Sequence, residues 1–366
     1  MVEWKKLGDV CSFNRGRTIT AKDAVEGGVP VIAGGQMPSY YHNISNREGE
    51  SITVAGSGAY AGFVSYWNRP IYVSDAFTVD PSETLLHKYL FYWLKMNQQK
   101  IYDTQKGAGV PHVHGKDIAY FQIPIPSLSE QTRIVGILDT FTASIENLKL
   151  QIAERRKQYE YYRDELMDLG GKEGVEMKTL GKIGKCIAGA TPSTKDSSYW
   201  ENGTIPWMSS GEVHQGVVTH TGSFITQKGY DNASTKMLPK NTVVIALAGQ
   251  GKTRGSVAIT AIELCTNQSL CGVVIADDNI LNKYIYYYLR TRYNDLRRIS
   301  SGDGTRGGLN LKMIGAYHVP VPSKKEQSRI VSILDTFEAS IANLETQLKE
   351  REKQYEYYRN KLLTFE

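Results

Sequence analysis

The sequence predicts an α+β protein in which two domains, of mixed β-strands and helices, are separated by two long antiparallel helices. Three observations lead to this prediction. One segment occurs twice, a heptad pattern of apolar residues runs through both copies, and short apolar runs bounded by glycine precede each copy. The length of 366 residues and the hydrophobic content of 41% suffice for two domains with cores of their own.

The repeated segment occupies residues 123–167 and 319–363, and its copies are identical at 29 of 45 aligned positions. Both contain nearly the same octet, RKQYEYYR in the first and EKQYEYYR in the second. Such identity indicates an internal duplication. The chain therefore alternates between variable and repeated blocks. The predicted boundaries are 1–126 for the first variable domain, 127–170 for the first helix, 171–322 for the second variable domain and 323–366 for the second helix.

Residues spaced alternately by four and three form an apolar seam in each copy, which is the sequence pattern of a coiled coil. Arg155 and Arg351 interrupt the two seams at equivalent positions and are predicted to help fix their register. A solvent-exposed helix with an ordinary core stripe is the alternative. Two near-identical copies favour antiparallel pairing with each other, as a rod with one domain at each end. The predicted seam residues are Ile134, Leu138, Phe141, Ile145, Leu148, Ile152, Tyr159, Tyr162, Ile330, Leu334, Phe337, Ile341, Leu344, Leu348, Tyr355 and Tyr358.

The variable blocks contain short apolar runs that indicate β-strands joined by tight turns. These runs are SITVAGSG, AGFVSYW and IYVSDAFTVD in the first block and NTVVIALAG, GSVAIT and CGVVIA in the second. Residues 85–103 and 281–299 have the periodicity of amphipathic helices. VPVIAGGQ aligns weakly with IPWMSSGE, and VAGSGAYAGFV with LAGQGKTRGSV. The two blocks therefore share a skeleton of glycine, proline and apolar residues, while their polar residues differ.

No motif in the sequence gives convincing evidence of catalysis. AGQGKT at residues 248–253 resembles a phosphate-binding loop, but Ala246 stands where that motif requires glycine, and a strand is expected to follow. His112 and His114 form a His-x-His pair without a nearby set of carboxylates, and the four cysteines lack zinc-site spacing. We therefore predict no catalytic residue, no metal site and no cofactor bound by this chain.

Polar, basic and aromatic residues in the glycine-rich loops indicate a DNA-reading surface. Glycine lets backbone N–H groups approach phosphates, Arg and Lys neutralise phosphates or read guanine, and Gln and Asn suit adenine. Ordinary solvated loops are the alternative for any one residue, and the net charge of +5 permits DNA binding without requiring it. The candidate DNA-binding residues are Arg15, Arg17, Lys22, Gln36, Tyr40, Tyr41, Ser57, Tyr60, Lys106, His112, His114, Lys116, Lys195, Trp207, Ser209, Ser210, Gln250, Lys252, Thr253, Arg254, Thr305, Arg306, Asn310 and Lys312.

The order of blocks, the phrases IPIPSLSEQTRIVGILD and VPVPSKKEQSRIVSILD, and the IPWMSSGE, AGSG and AGQG turns resemble the specificity subunit of type I restriction–modification systems. The resemblance covers essentially the whole chain. It implies two target recognition domains in inverted, pseudo-twofold orientation, separated by two antiparallel helices. It also implies that each domain reads one half of a bipartite, asymmetric site in double-stranded DNA, and that the helices set the gap between the halves.

The resemblance further implies partners. Two modification subunits, which carry S-adenosylmethionine and methylate adenine, would dock on the chain, and restriction subunits would add translocation and cleavage that depend on ATP and Mg. Gln131 and Arg133, like Gln327 and Arg329, are candidate partner or domain contacts, or helix caps. We expect a cytoplasmic protein, because MVEWKKLGDV lacks the apolar core of a signal peptide and no apolar run approaches the ~20 residues of a membrane span. A coiled-coil scaffold without DNA readout and a self-contained enzyme using AGQGKT remain open.

Overall fold

A computed structural model describes residues 2–249, 252–300 and 308–365. The chain folds as two compact units: the first combines Met1–Gln151 with Leu344–Glu366, and the second comprises Ile152–Asn343. Each unit therefore contains one variable domain, the beginning of the long helix that follows this domain, and the end of the other long helix.

The first unit consists of short strands and helices followed by a long helix. Its strands are β1 (Glu3–Lys6), β2 (Cys11–Arg15), β3 (Val29–Ile32), β4 (Tyr40–His42), β5 (Glu50–Ala55), β6 (Val64–Asn68), β7 (Tyr72–Val73), β8 (Ala76–Pro81) and β9 (Gln122–Ile125). Its helices are α1 (Leu7–Val10), α2 (His87–Met96), α3 (Gln98–Tyr102), α4 (Gly115–Ile118) and the beginning of α5 (Leu128–Met167). The strands form a sheet in the order β2-β8-β5-β6, a smaller sheet in the order β4-β3-β7 and the antiparallel pair β1-β9.

The second unit has a similar order of elements, with some additional short ones. Its strands are β10 (Glu176–Thr179), β11 (Gly184–Ala188), β12 (Ile205–Met208), β13 (Val217–Val218), β14 (Ser223–Ile225), β15 (Val243–Ala246), β16 (Val257–Thr260), β17 (Cys265–Thr266), β18 (Leu270–Ile275) and β19 (His318–Val321). Its helices are α6 (Leu180–Ile183), α7 (Gln227–Asn232), α8 (Asn282–Thr291), α9 (Tyr293–Ile299), α10 (Leu311–Ala316) and the beginning of α11 (Lys324–Leu363), with 3₁₀ helices at Ser197–Tyr199 and Ser210–Gln215. The sheets have the orders β11-β18-β15-β16-β13 and β14-β12-β17, and β10 pairs with β19.

The two units share one framework. The order β2-β8-β5-β6 corresponds to β11-β18-β15-β16, and β4-β3-β7 corresponds to β14-β12-β17. Register agrees at the residue level, because Arg15 lies opposite Phe77 and Ala188 lies opposite Cys271. VPVIAGGQ and IPWMSSGE contribute the corresponding central strands β3 and β12. The fold confirms the alignment of VPVIAGGQ with IPWMSSGE. The alignment of VAGSGAYAGFV with LAGQGKTRGSV is wrong at its start, because the registers make Val54 equivalent to Ile245, two residues before Leu247. The second unit also has α7, β13 and two 3₁₀ helices that the first unit lacks among the described residues.

The two predicted amphipathic helices are each interrupted. Residues 85–103 form α2 and α3, and residues 281–299 form α8 and α9. The interruptions fall at Asn97 (φ −94°, ψ 17°) and Arg292 (φ −100°, ψ 18°), whose backbone leaves the α-helical region. The side chain of Asn97 is buried and donates to the carbonyl oxygen of Trp93 at 2.9 Å, which stabilises the interruption. The prediction of one continuous helix in each segment is therefore wrong.

In the first unit, the beginning of α5 packs against the end of α11. Leu138 and Leu363 are fully buried in the same hydrophobic core. The ring of Phe141 stacks on Tyr358 with centroids 5.4 Å apart, and the guanidinium of Arg351 lies 5.7 Å from the centroid of the same ring. The seam arginine is therefore accommodated over an aromatic face, where a cation is attracted by the π electrons.

In the second unit, the end of α5 packs in the same way against the beginning of α11. Met167 and Leu334 are fully buried in one core. Tyr162 stacks on Phe337 at 5.6 Å, and the guanidinium of Arg155 lies 5.8 Å from the centroid of that ring. Since the start of each long helix meets the end of the other, the two helices run antiparallel.

The seam residues differ in burial. Those that are buried are Ile134, Leu138, Ile145, Leu148, Ile152, Tyr159, Ile330 and Leu334. Those that are half-buried are Phe141, Phe337, Ile341, Leu344, Leu348 and Tyr355. Tyr162 and Tyr358 remain 45% and 41% exposed, although each stacks on a phenylalanine ring of the other helix. The start of each seam also belongs to the core of the preceding domain, so the assignment of the whole seam to helix pairing alone is wrong.

A buried glutamine fixes the start of each long helix to its domain. The amide nitrogen of Gln131 donates to the carbonyl oxygens of Thr84 and Pro126, and its oxygen accepts from the N–H of Leu86, all at 2.9–3.0 Å. Gln327 makes the three corresponding bonds in the second unit. These glutamines are therefore domain contacts, and both are 0% exposed.

Replacing Gln131 with alanine is expected to cost the first unit about 1–3 kcal/mol, because buried main-chain groups lose their partners. The free energy of unfolding by urea measures the effect. Arg133→Ala is the matched control, since Arg133 is exposed and its bidentate pair with Glu130 is an exposed ion pair of small value. An effect of Gln131→Ala no larger than that of Arg133→Ala would contradict this role.

Candidate nucleic-acid interface

The candidate residues of the first unit lie mostly on loops and at the ends of elements. Those with exposed side chains are Arg15, Arg17, Lys22, Gln36, Tyr41, Tyr60, Lys106, His112, His114 and Lys116. Tyr40 is half-buried and its hydroxyl donates to the carbonyl oxygen of Ile19 at 2.5 Å, while Ser57 is half-buried and donates to Asp75. The exposed set supplies both the cations and the aromatic rings that a DNA surface uses.

Backbone hydrogen bonds join the turn between β5 and β6 to the loop before α4. The N–H of Val113 donates to the carbonyl oxygen of Gly56 at 3.1 Å. Lys106 and His112 exchange two backbone hydrogen bonds, at 3.0 and 2.8 Å. Ser57 forms a bridge with His112 across the same junction. Three predicted residues that are distant in sequence are therefore brought together.

A glycine shapes this loop. Gly107 has a φ of +116°, and a Cβ at this position would lie 2.4 Å from the carbonyl oxygen of Val110. Only glycine adopts this backbone without strain, and any side chain would push the backbone at Val110 away. The glycine therefore holds Lys106 and His112 in their paired arrangement.

Lys106 is held by an ion pair at the start of α4. Its Nζ lies 2.5 Å from Oδ1 of Asp117, whose other oxygen accepts from the N–H of His114 at 3.1 Å. Burial opposes ionisation of Asp117, but the hydrogen bonds from Lys106 and His114 outweigh burial and lower the pKa of this carboxyl. The charge of Lys106 is thus partly neutralised within the protein, which leaves Lys116, Arg15 and Arg17 better placed for phosphate.

A cavity of about 180 Å³ lies beside this junction. Arg15, Asp75, His112 and His114 line it together with Phe77. The two imidazole rings are nearly parallel, with an angle of 7° and centroids 6.2 Å apart. Asp75 is absent from the predicted set, because a carboxylate repels phosphate and the prediction rested on basic, amide, hydroxyl and aromatic side chains. Its position between two apolar strands, in IYVSDAFTVD, is the signal that could have identified it.

The candidates of the second unit are less exposed. Lys195, Lys252, Asn310 and Lys312 have exposed side chains, whereas Ser209, Ser210 and Thr253 are half-buried. The hydroxyl of Ser209 donates to Glu212 at 2.9 Å, and Oδ1 of Asn310 accepts from the N–H of Met313 at 2.9 Å and caps α10. Both side chains therefore serve local structure. Gln250, Thr305 and Arg306 lie outside the described residues.

Trp207 and Arg254 are corrections to the predicted set, since both are 8% exposed. The indole N–H of Trp207 donates to the carbonyl oxygen of Ala190 at 3.0 Å, and its ring meets Trp200 edge to face at 5.1 Å. A ring packed in this way is part of the core of the smaller sheet. The prediction that these two side chains contact DNA is wrong for the conformation described.

The segment after Lys252 differs from a phosphate-binding loop, and two cysteine thiols are buried or half-buried. Strand β16 follows Lys252, as expected, whereas a phosphate-binding loop requires a helix there. Within residues 2–249, 252–300 and 308–365, no group of three His, Cys, Asp or Glu could hold a metal ion. Burial raises the pKa of the Cys265 thiol to about 11, and burial with the charge of Asp80 raises that of Cys11 to about 12, so both stay protonated at neutral pH. None of the described helices has the length and apolarity needed to cross a bilayer.

Relatives of known family show the same organisation. The sequence profile of the type I restriction modification DNA specificity domain matches residues 1–155 and again 172–353. The specificity subunit of the Escherichia coli type I restriction enzymes EcoR124I and EcoR124II is 38% identical over 300 residues, which are 78% of this chain and 72% of the relative. A putative type I specificity subunit from Haemophilus influenzae is 28% identical over 405 residues, which cover 100% of this chain and 96% of the relative.

Solved structures agree on the fold. The crystal structure of a type I restriction–modification S subunit from M. genitalium superposes with a TM-score of 0.70 at 20% identity, covering 100% of this chain and 97% of that one. The HsdS subunit from Thermoanaerobacter tengcongensis gives a TM-score of 0.52 at 19% identity, with the same coverage. With the sequence match extending over both halves of the chain, the protein belongs to the family of type I restriction–modification DNA specificity subunits and carries two copies of the specificity domain.

Proposed function

We propose that each domain reads one half of a bipartite, asymmetric site in double-stranded DNA, and that the long helices set the gap between the halves and dock two modification subunits. One observation carries this proposal: the two units share a framework, but the residues on their loops differ. Arg15 corresponds to Ala188, and His114 corresponds to Asn310. Two domains with different side chains on their loops should recognise half-sites of different sequence.

The long helices suit the role of a spacer. Each of α5 and α11 has 40 residues, which corresponds to a length of about 60 Å. Aromatic stacking, buried apolar residues and a cation over a ring hold the pair at both ends. A spacer of fixed length would fix the separation of two DNA readers, as the spacing of two half-sites requires.

The repeat also provides a duplicated docking surface. Tyr161 and Tyr357 occupy equivalent positions of the octets and are 65% and 59% exposed. Exposed tyrosine is enriched where proteins associate, because its ring is apolar and its hydroxyl is polar. Two equal surfaces suit two identical partners. We propose that these partners are modification subunits that carry S-adenosylmethionine, that restriction subunits with ATP and Mg join them, that this chain is non-catalytic and that the assembly acts in the cytoplasm.

The double variant Tyr161→Ala, Tyr357→Ala is expected to weaken the binding of both modification subunits by at least about tenfold, as loss of interface hot spots does. The Tyr161→Ala variant alone should leave one copy tightly bound. Native mass spectrometry of the assembled complex counts the copies. Tyr120→Ala is a matched control, since Tyr120 is 60% exposed and is not part of either long helix. Two tightly bound copies on the double variant would contradict the docking role.

Methylation of DNA by the reconstituted complex tests the proposal as a whole. The chain with its modification subunits should methylate adenine only within one bipartite sequence, and its DNA affinity should fall steeply with salt as phosphate contacts are screened. The alternative is a pseudo-symmetric scaffold without DNA readout of its own. This alternative predicts that DNA binding and target choice persist when the specificity chain is exchanged for one with other variable domains.

A further inference from the structure

The cavity of the first unit contains a carboxylate whose position is fixed by its neighbours. The hydroxyl of Ser57 donates to Oδ2 of Asp75, and the backbone N–H of Gly56 donates to the carbonyl oxygen of Asp75 at 3.1 Å. The residue stands between β7 and β8 and is half-buried. Its side chain is therefore oriented by the turn that carries Ser57, and it lines the cavity.

This carboxylate is unusual on a surface otherwise suited to phosphate. Among the residues that the structure describes, no lysine or arginine forms an ion pair with Asp75. A half-buried charge without a basic partner costs stability, and it repels the DNA backbone. An ionised carboxylate is an acceptor only, so the groups that it can bind are hydrogen-bond donors. The position therefore favours a ligand that supplies an N–H.

The second unit has different residues at the positions equivalent to Asp75 and its neighbours. The N–H of Leu309 donates to the carbonyl oxygen of Leu247 at 2.8 Å, as that of Val113 does to Gly56, which fixes the equivalence of the two loops. By the same registers, Ser269 corresponds to Asp75. Ala188 replaces Arg15, and a buried leucine replaces Val113. The carboxylate of Asp75 and the charged side chain of Arg15 therefore occur in the first unit only, although the two units share the framework around them.

We propose that Asp75 reads an exocyclic amino group of adenine or cytosine in the half-site recognised by the first domain, an inference that rests on the proposed DNA-reading function. In the major groove, the adenine N6 and cytosine N4 amino groups are donors, whereas thymine O4 and guanine O6 are acceptors. A carboxylate can therefore accept a hydrogen bond from adenine or cytosine, but it is repelled by the oxygen atoms of thymine and guanine. Arg15, His112 and His114 surround it with exposed side chains that can position the backbone.

The Asp75→Asn variant tests this assignment, because asparagine keeps the shape but also donates hydrogen bonds. The full chain is assembled with its modification subunits and given a library of DNA with randomised half-sites, and methylated adenines are sequenced. With the wild-type chain, methylated sites should contain adenine or cytosine, and rarely guanine or thymine, at one position of one half-site. In Asp75→Asn, this discrimination should fall by about 10- to 100-fold at that position only, with the other half-site unchanged.

Two further variants make the result specific. Asp75→Ala should accept all four bases at the same position, and thermal melting establishes that either variant is folded. Asp9→Asn removes the same charge from an exposed site on α1 and should leave the motif unchanged. If both Asp75 variants methylate the same motif as the wild type at every position, the assignment of Asp75 is overturned, while the proposed function stands. A wild-type complex that directs no methylation overturns the proposed function, and the assignment with it.

Discussion

The Leu363→Ala variant is expected to lose about 2–5 kcal/mol of the free energy of unfolding of the first unit. Leu363 lies at the end of α11 but is fully buried in a core with Leu7, Tyr89 and Ile134, which come from the opposite end of the chain. Its removal leaves a cavity that the surrounding residues fill only in part. Hydrogen exchange measures the effect locally, and the amides of β5 and β8 should lose protection.

Met167 provides the matched comparison, since it is the equivalent residue at the end of α5 and is fully buried in the core of the second unit. Met167→Ala should reduce the protection of β15 and β18 instead. Lys361→Ala changes an exposed residue of α11 and should affect neither unit. Two results would contradict the placement of the end of α11 in the core of the first unit. Leu363→Ala could affect amide protection as little as Lys361→Ala does, or it could reduce protection in the second unit rather than in the first.

Inserting one heptad into both long helices is expected to lengthen the recognised gap. Insertions after Gln151 in α5 and after Asn343 in α11 fall at the boundary between the units, so they leave the contacts within each unit intact. Seven residues add about 10 Å, close to the rise of three base pairs. Every site that is still methylated should have its original half-sites with a gap longer by about three base pairs. Sequencing of methylated adenines measures both features.

A loop insertion separates this effect from general damage. Four residues placed between Gly171 and Gly174, in the exposed segment that joins α5 to β10, should leave the original motif and gap in place. Both glycines have positive φ, so the segment is a turn and not part of the helix pair. Retention of the original gap after the heptad insertion, or altered half-site sequences, would contradict the spacer role. So would a loop insertion as damaging as the heptad.

The long helices and most strands could be predicted from the sequence because their signals are local. The heptad spacing from Ile134 onwards corresponds to α5, Leu128–Met167. The run NTVVIALAG contains β15, and CGVVIA covers all of β18 except Leu270, because short apolar runs rich in β-branched residues favour strands. The duplication of the long helices, together with the weak alignment of the blocks that precede them, also predicted a common framework for the two variable domains.

What could not be predicted depends on non-local packing. Leu138 follows the same heptad whether it meets a second helix or the core of a domain, so the pattern does not identify its partner. Trp207 lies in a glycine- and serine-rich segment like a surface aromatic residue, but the pairing of β12 with β14 and β17 buries it. Asp75 gains significance only because the fold places it beside Arg15 and His112.

The central claim is that this chain chooses the DNA sequence that its assembly methylates. Single-molecule sequencing of methylated adenines in the host genome, with and without the gene, tests it most directly. We predict that one motif with two unlike halves and a fixed gap is methylated when the gene is present and unmethylated when it is deleted. An unchanged set of methylated motifs after deletion would contradict the account.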